Sequence, residues 1–120
     1  MFRASYEIGK KWYSHSMSYT ESVRILHVQY GMNPHSADDY LYAYMNMADG
    51  KTLTRSISLA AVRYYLSKFL EDQGPTGLQK ALSAIKQTID HQEKSGTSTP
   101  VGLRRIYDSF LLRLYPKFSD

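Results

Sequence analysis

Breaks at regular intervals constrain this chain more than anything else: glycine, proline and helix-capping residues cut it into segments of about a dozen to twenty residues, each with helical rather than strand periodicity. Residues 3–15 place Tyr6, Ile8, Trp12 and Tyr13 at mixed helical spacing around Gly9. Ser18 followed by Glu21 has the form of a capping box, in which each side chain satisfies a backbone N–H at the start of a helix. Val23, Leu26 and Tyr30 then give an i, i+3, i+7 stripe that Gly31 terminates. Asn33-Pro34 reads as an N-cap and first helical residue, and Asp38 and Asp39 suit the positive end of a helix dipole. That helix is expected to reach Met47, with Ala37, Tyr40, Leu41, Tyr44 and Met45 inward, and to stop before Asp49-Gly50.

The stretch 51–56 (KTLTRS) is expected to be a short connector, extended if anything. A helix from about Ser58 to Asp72 should bury Val62, Leu66, Phe69 and Leu70, and Gly74-Pro75 should break it. Leu78, Leu82, Ile85 and Ile89 form the cleanest apolar stripe of the chain. Residues 95–100 (SGTSTP) read as a loop, and a last helix carries Leu103, Ile106, Phe110 and Leu114 before Pro116. The expected fold is all-α: one domain over 1–120, a compact bundle of about six helices, with a helix-turn-helix-like unit at 19–48 and C-terminal helices over 57–115.

Composition removes several function classes. With no cysteine there is no disulfide framework, thiolate metal site or thiol nucleophile. The first twenty residues lack the apolar core of a secretory signal, and the longest apolar run, Leu59 to Val62, is far short of a membrane span. A cytoplasmic protein without a membrane partner is therefore expected. His15, His27, His35 and His91 never fall at i, i+3 or i+4 from one another. His27 and His35 flank a turn without a committed carboxylate, so no metal is expected. No phosphate-binding glycine loop, HExxH or GxSxG is present, so neither a catalytic residue nor a cofactor is assigned.

Fifteen Lys and Arg against eleven Asp and Glu leave a net charge of +4, which leans toward acidic partners. The segment Ser22 to Tyr42 has the form of a helix-turn-helix, with Gly31 at the turn and Met32 as the turn hydrophobe. In DNA-binding versions the second helix enters the major groove. Its outward residues here would be Asn33, His35, Ser36, Asp39 and Tyr42, of which Asn and His can bond base edges and Ser can reach base or phosphate. Two features oppose that use: His27 stands where a small residue is usual, and Asp38 and Asp39 repel phosphate. Lys51, Arg55, Arg63 and Lys68 follow without an acidic residue between them, and Arg63-Tyr64-Tyr65 sets aromatics beside a cation, as stacking on a nucleic acid needs. The same pattern also suits a solvated helix face with buried tyrosines.

The stretch from Tyr30 to Ser58 resembles a helical module found at the N-terminus of bacterial HNH-type nucleases, in the neighbourhood of modification-dependent restriction enzymes. Asn33, Ser36-Ala37, Asp39-Tyr40, Tyr44-Met45, Gly50, Arg55-Ser56, Ile57 and Ser58 carry the resemblance. Residues 81–96 and 104–110 fit the same module, so the likeness covers most of 5–112. It implies a DNA-directed accessory or recognition role. The nuclease chemistry would lie in another module, because the histidine base and metal-binding ββα unit of an HNH nuclease are not among these 120 residues. The sequence-level expectation is thus a DNA-binding module contacting duplex DNA, plain or modified, through Asn33, His35, Ser36, Lys51, Arg55, Arg63 and Tyr64. A nuclease module in the same or a partner chain would complete it. The alternative is a helical protein-interaction or oligomerisation domain, with a second copy of the chain as one partner.

Overall fold

In a computed structural model, residues 2–96 and 100–116 are described, and within them the chain is helical: α1 (Phe2–Tyr13), α2 (Tyr19–Tyr30), α3 (Pro34–Asp49), α4 (Leu59–Ser95) and α5 (Val101–Leu114). The expected count of six is corrected to five. The two helices foreseen on either side of Gly74-Pro75 run on as one element, interrupted only at Gly74. There φ is 71° and ψ is −164°, a combination that essentially only glycine adopts. Pro75 then supplies the fixed φ that suits the first residue of a new helical run. The sequence signal for a break is therefore real, and its outcome is a sharp bend. The centre of the loop expected at 95–100 lies outside the described residues.

Helix starts follow their caps. Ser18 accepts from the Glu21 N–H, and the Asn33 side chain accepts from the His35 N–H at 2.8 Å. Ser58 accepts from the Ala61 N–H in the same way. Gly31 closes α2 in the left-handed conformation at φ 69°, and the chain turns through three residues into α3. Met32 is buried in that turn. His27, which looked too large for the crossing, lies outside it and bonds the Met32 carbonyl through Nδ1 at 2.9 Å.

α3 occupies the middle, packed against α1, α2 and α4, whereas α5 packs on α4 alone. This explains a difference from the periodicity. Beside Ala37, Leu41 and Tyr44, α3 also buries Ala43, Asn46 and Met47, while Tyr40 and Met45 are only half-buried. A single apolar stripe presumes a single neighbour, and α3 has three. Gly9 sits where α1 crosses α3. A Cβ there would lie 3.0 Å from Tyr44 Cβ, so a glycine within the helix permits close packing.

The main core gathers Tyr6, Tyr44, Tyr65 and Phe69 with the α4 stripe Leu78, Leu82, Ile85 and Ile89, and Ile106 and Phe110 of α5. A second cluster under α1, α2 and α3 holds Ile8, Leu26, Met32, Ala37 and Leu41. Of the eleven tyrosines, Tyr6, Tyr44 and Tyr65 are buried in the core and five more are half-buried. Tyr6 meets Tyr44, Tyr65 and Phe69 edge-on at centroid separations of 5.1–5.5 Å, an arrangement that ring quadrupoles favour. No described helix is long and apolar enough to cross a membrane.

Candidate nucleic-acid interface

The connector between α3 and α4 is no slack link. After the Gly50 cap, the Lys51 N–H donates to the Asn46 carbonyl at 2.9 Å. The Leu53 N–H donates to Thr88 Oγ1 at 2.9 Å, and Asn46 Nδ2 donates to Thr54 Oγ1 at 3.1 Å. Gln87 adds a bond to the Gly50 carbonyl and another to Thr52. Leu53 and Ile57 turn in against the main core, while Lys51, Thr54, Arg55 and Ser56 stay exposed. An irregular surface segment held by this many side-chain bonds presents its outward residues in fixed positions.

Arg55 is the hub of this segment. Its Nε donates to Asp38 Oδ2 at 3.0 Å and lies 3.6 Å from Asp39 Oδ1, and its guanidinium sits 5.2 Å from the Tyr42 ring centroid. Tyr42, Tyr19 and Trp12 form a triangle of rings with centroids 5.4–6.0 Å apart. The Tyr19 hydroxyl donates to the other oxygen of Asp38. That hydrogen bond, with the one from Arg55, holds the Asp38 carboxyl below the usual carboxylate range against the opposing effect of partial burial. Burial, then the bond to Asp38, pushes the Tyr19 hydroxyl up to about 12. On its other side Arg55 borders a cleft of about 350 Å³ between the connector, α4 and the start of α5, walled by Leu53, Ile57, Leu59, Val62 and Leu103.

The residues singled out from the sequence fall into three places. Asn33, His35 and Ser36 make up the start of α3. Arg55 joins them at that end, because Asp38 is one turn further along the same helix. Asn33 and His35 are exposed and Ser36 is half-buried, although the Asn33 amide oxygen is already used as the cap. Lys51 is exposed beside the opposite end of α3, where Gly50 abuts the Lys80 backbone. Arg63 is exposed on α4. Tyr64 is half-buried with its ring 6.3 Å from Tyr6, and Tyr65 is wholly buried, its hydroxyl between Ser5 Oγ and the Tyr40 carbonyl. Tyr65 therefore offers no stacking face.

Asp38 and Asp39, which as bare charges would repel phosphate, have Arg55 as their partner. Trp12, Tyr19 and Thr88 join the site without a sequence signal of their own. No local spacing could have revealed contacts across 17 and 35 residues. Among the described residues, no group of three His, Cys, Asp or Glu could hold a metal ion. Lys51 and Arg63 have no ion-pair partner among the described residues, a state they share with Arg3, Lys11, Lys80, Lys94, Arg105 and Arg113. Compared with protein-family models, curated proteins and solved structures, the chain matches none.

Proposed function

We propose that this chain is a DNA-binding module, the recognition or accessory part of a system whose nuclease chemistry lies in another module of the same or a partner chain. The observation that carries the reading is Arg55 on a pinned connector next to the exposed start of α3, with Lys51 and Arg63 exposed on the flanking segments. The stretch that resembles the nuclease-associated module, Tyr30 to Ser58, is the stretch that forms α3 and this connector. In this reading α2, the Gly31 turn and α3 act as a helix-turn-helix-like unit. Since α1, α2 and α4 enclose α3, the side chains at its start, Asn33, His35 and Ser36, are the ones this reading brings to a groove. That suits readout by the helix start.

The test is a titration of labelled duplex at low and at physiological salt. Binding that neutralises a few phosphates should have a dissociation constant of about 1 μM or weaker at physiological salt and should weaken steeply as salt rises. Lys51→Ala and Arg63→Ala should each lower the magnitude of the salt slope by about one. Absence of binding at low salt would reject the proposal. A second reading, an interaction or oligomerisation domain, draws on Val28 and Tyr30, which are 65% and 49% exposed on α2. Concentration-dependent self-association abolished by Val28→Asp would favour it.

A further inference from the structure

We propose that Asp38 and Asp39 mask Arg55 from nucleic-acid phosphate, so that Arg55 takes part in binding only after a phosphate has displaced these carboxylates. The inference rests on the DNA-binding reading and concerns regulation of that same surface. Arg55 differs from Lys51 and Arg63 in having its charge answered twice, by Asp38 at 3.0 Å and Asp39 at 3.6 Å. Carboxylate and phosphate present the same chemistry to a guanidinium, a pair of anionic oxygens matched to its N–H fork. Both aspartates approach the guanidinium at Nε, the N–H for which a phosphate oxygen would compete with them.

The geometry favours exchange over permanent fastening. The connector is held by Asn46 and Thr88 independently of Arg55, so the guanidinium can swing on its own side-chain torsions while the backbone stays in place. The Arg55 side chain is 42% exposed, and Asp38 and Asp39 are 27% and 39% exposed, so the pairs are exposed enough for a phosphate to compete. Tyr19 keeps Asp38 oriented through its hydroxyl, and Tyr42 gives Arg55 an aromatic platform that remains when the carboxylates are displaced. Lys51 and Arg63 would then supply first contact with duplex DNA, and Arg55 would add to complexes close enough to compete with the aspartates.

The experiment measures affinity of the full chain for a labelled mixed-sequence duplex by anisotropy at low salt. The variants are Asp39→Asn and Asp38→Asn/Asp39→Asn, each with and without Arg55→Ala, and Asp90→Asn serves as a control that frees Lys86 on another face. Thermal melting confirms that each variant is folded. The double Asn variant should bind roughly three- to tenfold tighter than wild type, the factor expected from releasing two exposed ion pairs. In the Arg55→Ala background the same Asn substitutions should give no such gain, whatever that variant's own affinity. A gain that persists without Arg55, or equals that of Asp90→Asn, would reduce it to bulk charge and overturn the mask. Wild-type binding with no gain in the Asn variants would make the pairs purely structural and overturn it as well. Absence of binding by every variant would instead reject the DNA-binding reading itself, and the mask with it.

Discussion

Tyr6 has no exposed surface, yet its hydroxyl donates to Asp72 Oδ2 at 3.0 Å, and Lys10 Nζ reaches the same oxygen at 3.1 Å. This three-residue contact ties α1 to the first half of α4. Partial burial works against the Asp72 charge, but the bonds from Lys10 and Tyr6 win, and its carboxyl is held below the usual range. A depressed folded-state value adds stability above the ordinary aspartate value and loses it as pH falls through the folded value. The Asp72 contribution should therefore be intact at neutral pH and disappear below about pH 4. Urea unfolding of wild type and Asp72→Asn should converge as pH is lowered through that range. Tyr6→Phe, which removes only the hydroxyl, should cost about 1 kcal/mol in the same assay at pH 7. At the start of α3, Asn33→Ala should cost about 1 kcal/mol as a lost cap, whereas Asn33→Ser should keep the cap and remove only the amide. His35→Ala, on an exposed side chain, should stay within about 0.5 kcal/mol. If Asn33→Ser and His35→Ala both retain wild-type DNA preference, the first turn of α3 is structural and the binding surface lies with the connector and α4.

At the scale of elements, helix ends were more legible than helix neighbours. Ser18, Gly31, Asn33 and Pro34 act through bonds or dihedrals within a few residues, so a local pattern reports them faithfully. The α4 stripe Leu78, Leu82, Ile85 and Ile89 was equally plain, because that half of the helix keeps a single well-defined apolar face. Leu82→Ala or Ile85→Ala should lower stability by about 2–5 kcal/mol in chemical denaturation, and unchanged stability would mean that the core is centred elsewhere. What the sequence concealed was set by partners far along the chain. Tyr65 looked like a companion to Arg63, but α1 and α3 close over it with Ser5, Tyr6, Tyr40 and Tyr44. The connector looked like a link, but Thr88 and Gln87 fasten it from 35 residues away. Gly74 marks the bend through its backbone alone, since nothing lies within 4 Å of a Cβ placed there. Gly74→Ala should nonetheless cost about 1–3 kcal/mol, because φ 71° with ψ −164° is strained for any other residue. A clash-based account would forecast no loss, and equilibrium unfolding distinguishes the two.

Across the whole molecule, cohesion is uneven. α1, α3 and the first half of α4 share the tyrosine core, while α5 leans on α4 alone through Ile106, Phe110 and their half-buried neighbours. Amide exchange should accordingly be faster in α5 than in α3, since an element with one neighbour can open without disturbing the others. Equal protection of the two helices would contradict this ranking. The proposed surface was legible as charge but not as shape: Lys51, Arg55 and Arg63 stood out in the sequence, whereas the separation of Lys51 from the Arg55 end of α3 appears only in three dimensions. The ring triangle beside Arg55 has a spectroscopic consequence. Trp12 is the only tryptophan in the chain, and it touches Tyr42, the ring on which Arg55 rests. In the proposed exchange of carboxylates for phosphate, an indole one ring away would sense the shift of the cation through the local electric field. Intrinsic emission should therefore shift in wavelength or intensity when Arg55 moves, which makes the unlabelled protein its own optical probe.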